Sequence, residues 1–276
     1  MRILLSIFAL AAASLQAAPS TLLNVSYDVT REFYHDYDAA FVKHWQAAKG
    51  DAVKIDQSHA GSSKQARAVI DGLQADVVTM NQDTDVQLIA DAGLIAPDWR
   101  TRLPDHAAPY TSTIVFLVRK GNPKGIKDWP DLVKSGTQII VPNPKTSGNG
   151  RYSYLGAWAF AKAAANGDDA KAQEFVAALF KSVPVLAPGG RDATNAFVQR
   201  GIGDALLTFE SEALQITKIF SPGQYEIVTP GSSVLAEAPV SVVDKIVDKH
   251  GTREVATEYL KFLWSDEAQE IIARHY

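Results

Sequence analysis

Apolar and polar positions along this chain repeat as a unit: a short apolar run, a turn of small or polar residues, then a stretch with apolar residues three and four apart. Leu22 to Tyr27 is strand-like and precedes a helical pattern from Thr30 to Ala47. Val53–Gln57 precedes Lys64–Leu73, Asp76–Met80 precedes Asp83–Ala92, and Thr137–Pro142 precedes a helix expected from about Arg151 to Asn166. Val183–Ala187 then leads to Asp192–Gly201, and Ala205–Phe209 to Glu210–Phe220. This alternation predicts an α/β fold with largely parallel sheet. Two runs break the rhythm. Thr111–Arg119 is long and rich in β-formers, and Val240–Val243 is a late strand. Both are candidates for crossings between two lobes. Lobe one is therefore expected at 18–110 plus 224–276 and lobe two at 111–223.

The first residues have a different pattern. Arg2 is followed by an almost wholly apolar run from Ile3 to Ala13 and then by small residues. The run is too short to span a bilayer and reads as a secretory signal over 1–17, cleaved near Ala17 or Ala18. The expected location is the periplasm. No cysteine occurs anywhere, which excludes disulfides, a thiolate nucleophile and a thiolate metal site. The 27 Lys+Arg against 31 Asp+Glu leave a net charge of −4. Such a chain lacks the basic stripe that nucleic acid or an anionic membrane would require.

Candidate chemistry lies in the turns between strand ends and helix starts. These are Ser26–Thr30, Ser58–Ser63, Lys145–Gly150, Pro188–Asp192 and Phe209–Ser211. In open α/β sheets ligands bind beyond the carboxyl ends of strands. There the first N–H groups of each helix have no intrahelical partner and favour negative charge. Glycine allows close approach of an anion to the backbone, and serine adds a hydroxyl donor. Helix capping by itself calls for the same residue types, so each turn alone is ambiguous; only convergence of several would make a cage of donors. The signatures of nucleophile elbows, zinc proteases and phosphate-binding P-loops do not occur. The six histidines are scattered, with no metal-ligand spacing, and no cofactor is expected. His59 lies in a candidate turn, so a serine hydrolase using Ser62 or Ser147 with His59 is a second reading.

At these turns the sequence resembles the periplasmic sulfate/thiosulfate-binding proteins of ABC importers. The matching segments include Leu23–Asp28, Gln57–Ala66, Ala75–Thr79, Phe116–Lys124, Pro142–Gly148, Arg200–Asp204 and Ser241–Lys245, and they span nearly the whole chain after the signal. The resemblance implies a two-lobed "Venus flytrap" (type II periplasmic-binding-protein) fold, with the anion dehydrated in the interlobe cleft and held by uncharged donors. Carried over by position, Asp28 would give a backbone N–H and Ser62 a hydroxyl or N–H from lobe one. Ser147, Gly148, Asn149 and Gly190 would donate from lobe two. Implied partners are thiosulfate or sulfate and a membrane permease, with the protein a monomer and not an enzyme.

Three departures from the sulfate pattern stand out. Phe209 occupies the position of a tryptophan whose indole N–H donates to sulfate, and Asn149 replaces a glycine. Phe209-Glu210-Ser211-Glu212, Lys145–Asn149 and His59–Ser63 look more like the thiosulfate-binding branch. An apolar ring in place of a donor suits the softer terminal sulfur of thiosulfate. The match also stops at Ile271–Tyr276, where family members continue, so a truncated product is an expectation. A broader oxyanion receptor for molybdate or phosphate is a further alternative.

Overall fold

The structure, a computed structural model, describes residues 20–276. The signal expected over 1–17 lies outside the described residues. Strand β1 (Ser20–Tyr27) runs parallel to β2 (Val53–Ala60) and to β3 (Val77–Thr79). Helices α1 (Arg31–Lys49), α2 (Ser62–Ile70) and α3 (Asp83–Asp91) follow these strands. A single irregular turn, α4 (Pro104–Ala107), precedes β4 (Thr111–Arg119). Next come β5 (Ile139–Pro142), α5 (Gly148–Ala164), α6 (Asp169–Lys181), β6 (Leu186–Ala187) and α7 (Gly190–Thr194), which continues as a π-helical turn to Gln199. Strand β7 (Ala205–Phe209) leads into α8 (Glu210–Gln215), again extended by a π-helical turn to Phe220. The chain ends with β8 (Tyr225–Val228), β9 (Leu235–Glu237), β10 (Val240–Val242) and helices α9 (Asp244–His250), α10 (Arg253–Phe262) and α11 (Asp266–His275).

Two sheets result, with strand orders β10-β3-β1-β2 and β6-β5-β7-β4-β8. Each carries helices over a core on both faces. In lobe one, Phe33, Tyr37 and Phe41 of α1 pack with Tyr259 and Leu260 of α10, while Val25, Val78 and Val86 fill the other side. In lobe two, Phe116, Trp129, Ile139 and Leu207 lie on one face and Val115, Leu117, Ile140 and Phe197 on the other. That alternation along β4 follows from the two-residue period of a strand buried on both sides.

Two expectations are corrected. The first sheet is parallel apart from β10, which runs antiparallel to β3, but the second is mixed rather than largely parallel, with β4 antiparallel to β7, β8 and β9. These strands enter from the opposite lobe instead of through a helical crossover, so nothing forces them parallel. The return to lobe one also falls later than residue 224. Strands β8 and β9 still pair with β4, with Phe116 opposite Val228 and Thr111 opposite Glu237, and only β10 joins the first sheet.

Candidate functional site

The turns at the strand ends meet between the lobes. The Asp28 carboxylate of lobe one lies against Gly189 and accepts the Arg191 N–H of lobe two at 3.1 Å. Gly61, at the start of α2, packs against the carbonyl oxygens of Thr146 and Pro188. Gly148, the first residue of α5, rests on the side chain of Asn81 beyond β3. Ser62 reaches the same asparagine, its Oγ accepting the Asn81 N–H at 3.4 Å. Asp28, Ser62, Ser147, Asn149 and Gly190 are all buried. Asn149 turns its side chain away, donating to Thr208 Oγ1 at 3.0 Å, which leaves its backbone N–H in the first turn of α5. Phe209 ends β7, is 2% exposed, and meets Tyr27 edge-on at 6.3 Å and Tyr152 at 5.9 Å. Thus the seven residues named from sequence gather around one interlobe floor.

Helix α6 is closed by Asp168, whose side chain accepts the N–H groups of Ala170 and Lys171, and α11 is closed by Ser265. Among the described residues no N-cap side chain closes α2, α5, α7 or α8, although the Asp28 carboxylate accepts the Arg191 N–H of α7 across the cleft. Other helices also begin uncapped, α9 and α10 among them, so a missing cap alone marks nothing. What sets these four apart is that their starts converge. Their first-turn N–H groups and positive dipole ends make a buried surface suited to an anion, with the Arg191 N–H already taken by Asp28 and the Ser211 N–H by Ser112 Oγ at 3.5 Å.

Two cations at this floor, Arg191 and Arg151, are matched by carboxylates across the cleft. Arg191 makes a two-pronged pair with Glu32 of α1, at 3.0 and 2.7 Å. Arg151 of α5 reaches the fully buried Asp85 of α3 at 3.2 Å, and Ser63 Oγ donates to the same carboxylate. The charges therefore tie lobe to lobe, and the backbone N–H and hydroxyl groups remain as the donors. Burial pushes the Asp28 carboxyl above its usual range, opposed by the Arg191 N–H. Burial lowers His59 to about 4, with Arg31 adding to the effect, so its ring is neutral at pH 7.

Sequence reading missed several residues that shape the cleft. Asn81 follows a strand of only three residues, and its Oδ1 is buried without a partner among the described residues. Gly61 and Gly189 read as turn formers, yet both are points of lobe contact. Glu32, Asp85, Arg151 and Arg191 pair across long sequence separations, so no local pattern could reveal them.

Comparison with known proteins agrees with this geometry. The family model for bacterial extracellular solute-binding proteins matches residues 29–276. The chain is 59% identical over 260 residues to the thiosulfate-binding protein of Pseudomonas aeruginosa, covering 94% of this chain and 78% of that one. It is 57% identical over 269 residues to the sulfate-binding protein of Escherichia coli, covering 98% and 82%. Among solved structures, the sulfate-binding protein SubI from Mycobacterium tuberculosis superposes with a TM-score of 0.81 at 29% identity, covering 93% of this chain and 85% of that one. The converging helix starts and the extent of these matches lead to one conclusion: the chain belongs to the bacterial extracellular solute-binding protein family.

Proposed function

We propose that this chain captures a fully ionised sulfur oxyanion, thiosulfate or sulfate, between its lobes in the periplasm and delivers it to the membrane permease of an ABC importer. The observation that carries the reading is the convergence of four helix starts from both lobes, none closed by its own N-cap side chain, with Arg191 and Arg151 already paired. Asp28, Ser62, Ser147, Gly148, Asn149 and Gly190 supply the donors. About six charge-assisted bonds at ~1.5–3 kcal/mol each give a gross of ~9–18 kcal/mol. Desolvating the dianion and ordering the lobes offsets much of this, leaving affinity in the micromolar range or tighter.

Thiosulfate is the favoured ligand. The Phe209 ring offers an apolar, sulfur-tolerant wall where an indole N–H would serve a fourth oxygen. One oxygen of the Asp28 carboxylate is taken by the Arg191 N–H, and the donors of the floor offer no acceptor to a hydrogen phosphate O–H. Catalysis has little support. Ser62 Oγ is placed against Met80 Sδ and the Asn81 N–H, whereas the nearest partner of His59 Nδ1 is the Tyr27 carbonyl at 3.4 Å. Calorimetric titration of dialysed protein tests the proposal. One-to-one binding of thiosulfate, at least about tenfold tighter than sulfate and with no response to phosphate, is expected. Equal or tighter sulfate binding would remove the thiosulfate preference, and a folded protein that binds neither would overturn the function.

A further inference from the structure

Behind the interlobe pair of Arg191 and Glu32 lies a second carboxylate, Glu212 of α8, in the same lobe as the arginine. It is 1% exposed. Its Oε1 accepts the Thr194 hydroxyl at 2.6 Å and lies 4.0 Å from Arg191 Nε. Among the described residues its Oε2 has no partner, and neither does Arg191 Nε, although both atoms are buried. A buried donor and a buried acceptor, neighbours and of opposite charge, are thus each left unmade while the rest of the guanidinium is turned to Glu32. Unsatisfied buried polar atoms are costly, and a native structure keeps them where another arrangement uses them. The ring of Phe220 lies beside the guanidinium, 5.3 Å from it, and gives a flat surface over which it can turn.

The other arrangement follows from how a ligand must enter. The lobes touch backbone to side chain at Gly148 and Asn81 and backbone to backbone at Gly61 and Thr146. An anion reaches the floor only when the lobes part, and Glu32 then leaves with lobe one. The arginine stays charged at all accessible pH values and remains beside Glu212. We propose that Glu212 is the partner Arg191 takes when the lobes separate. The guanidinium turns from Glu32 to Glu212, which stabilises the open form and keeps the closed form from being populated without ligand. This inference rests on the reading of the cleft as a ligand site. The surroundings agree with it. Burial pushes the Glu212 carboxyl up to about 7; Arg191 and Thr194 oppose the rise, and Asp28 and Glu32 add to it. Glu212 is a positioning residue that acts through Arg191.

Glu212→Gln keeps the shape but removes the charge. It takes away the charged partner of the open form while Thr194 can still donate to the remaining carbonyl oxygen, so the change favours closure. We expect thiosulfate and sulfate to bind on the order of three- to thirtyfold tighter, with slower dissociation by stopped flow. The anion-free protein should also have a smaller radius of gyration by X-ray scattering. Thr194→Val should act in the opposite sense, because the closed-form carboxylate loses its only hydrogen bond. A merely structural role for Glu212 would weaken binding, and that result, or unchanged affinity with unchanged dimensions, overturns the proposal. Should Glu212→Gln fail to fold, Thr194→Val decides alone: unchanged or tighter binding overturns it. If the wild-type protein binds neither anion, the functional reading fails, while the dimensions of the anion-free variants still test the exchange of partners.

Discussion

Replacing Gly61 by alanine should abolish tight anion binding while leaving both lobes folded. Gly61 has ordinary dihedral angles, φ −54° and ψ 134°, so alanine carries no backbone strain there. Its Cβ would sit well inside contact distance of the Thr146 carbonyl oxygen and 3.1 Å from that of Pro188. Both neighbours are backbone atoms of the opposite lobe and cannot swing aside. Relief requires the lobes to part by on the order of an ångström, which takes a normal hydrogen bond beyond useful length. A ligand gripped from both sides then keeps the bonds to one lobe and loses those to the other. Losing two charge-assisted bonds at ~1.5–3 kcal/mol each amounts to ~3–6 kcal/mol, or about 10²- to 10⁴-fold in affinity. Titration calorimetry measures the loss, and a circular-dichroism melt within a few degrees of wild type shows that the lobes are intact. Binding within about twofold of wild type would refute the claim that lobe contact at Gly61 belongs to the bound state. A collapsed melt would instead make Gly61 a residue of lobe stability.

Three further changes probe separate parts of the account. Phe209→Trp restores an indole N–H beside Tyr27 and should shift preference toward sulfate by ~1.5–3 kcal/mol relative to thiosulfate; competition titrations measure it, and the neighbouring void of about 10 Å³ predicts some overpacking in the melt. Arg151→Met leaves the buried Asp85 carboxylate unpaired only when the lobes meet, so stopped flow should show anion dissociation about ten- to a hundredfold faster, and adding Asp85→Asn should recover part of the loss. Burial raises Asp38 to about 6, against hydrogen bonds from Tyr259 and Gln57. Its folded-state pKa lies above the unfolded value, so its contribution to stability is present below about pH 4 and is lost as pH rises through 6. Asp38→Asn should therefore stabilise the protein at pH 8 by ~2–3 kcal/mol and flatten that part of the pH profile; the unpartnered Gln57 Oε1 can accept the new amide. A denaturant series at pH 4, 6 and 8 checks this.

Much of the fold could be read from local pattern because its strands are short, apolar and followed by amphipathic helices. Thr111–Arg119 and Ala205–Phe209 begin and end where their side chains predicted. The turn residues were legible for the same reason: glycine and serine at a helix start have a local steric and hydrogen-bonding logic. Position α7 was less clear. The helix begins at Gly190 rather than Asp192, because its start is a pair of glycines with no capping side chain and the acidic residue falls at its third position. Strands β8 and β9 escaped notice since they are short, partly exposed and defined by pairing with β4 more than a hundred residues earlier. That pairing, not composition, sets where the chain returns to lobe one. The interlobe ion pairs, Asn81 and the Arg191–Glu212 arrangement are products of closure, which no one segment encodes.

The central claim is that backbone N–H groups from both lobes hold the anion. Amide-resolved nuclear magnetic resonance during titration with thiosulfate, and separately with sulfate, tests it most directly. The account predicts saturable one-to-one shifts of the Asp28, Gly148, Asn149 and Gly190 amides together, with one shared affinity. Shifts confined to one lobe, or scattered over surface lysines and removed by salt, would contradict it.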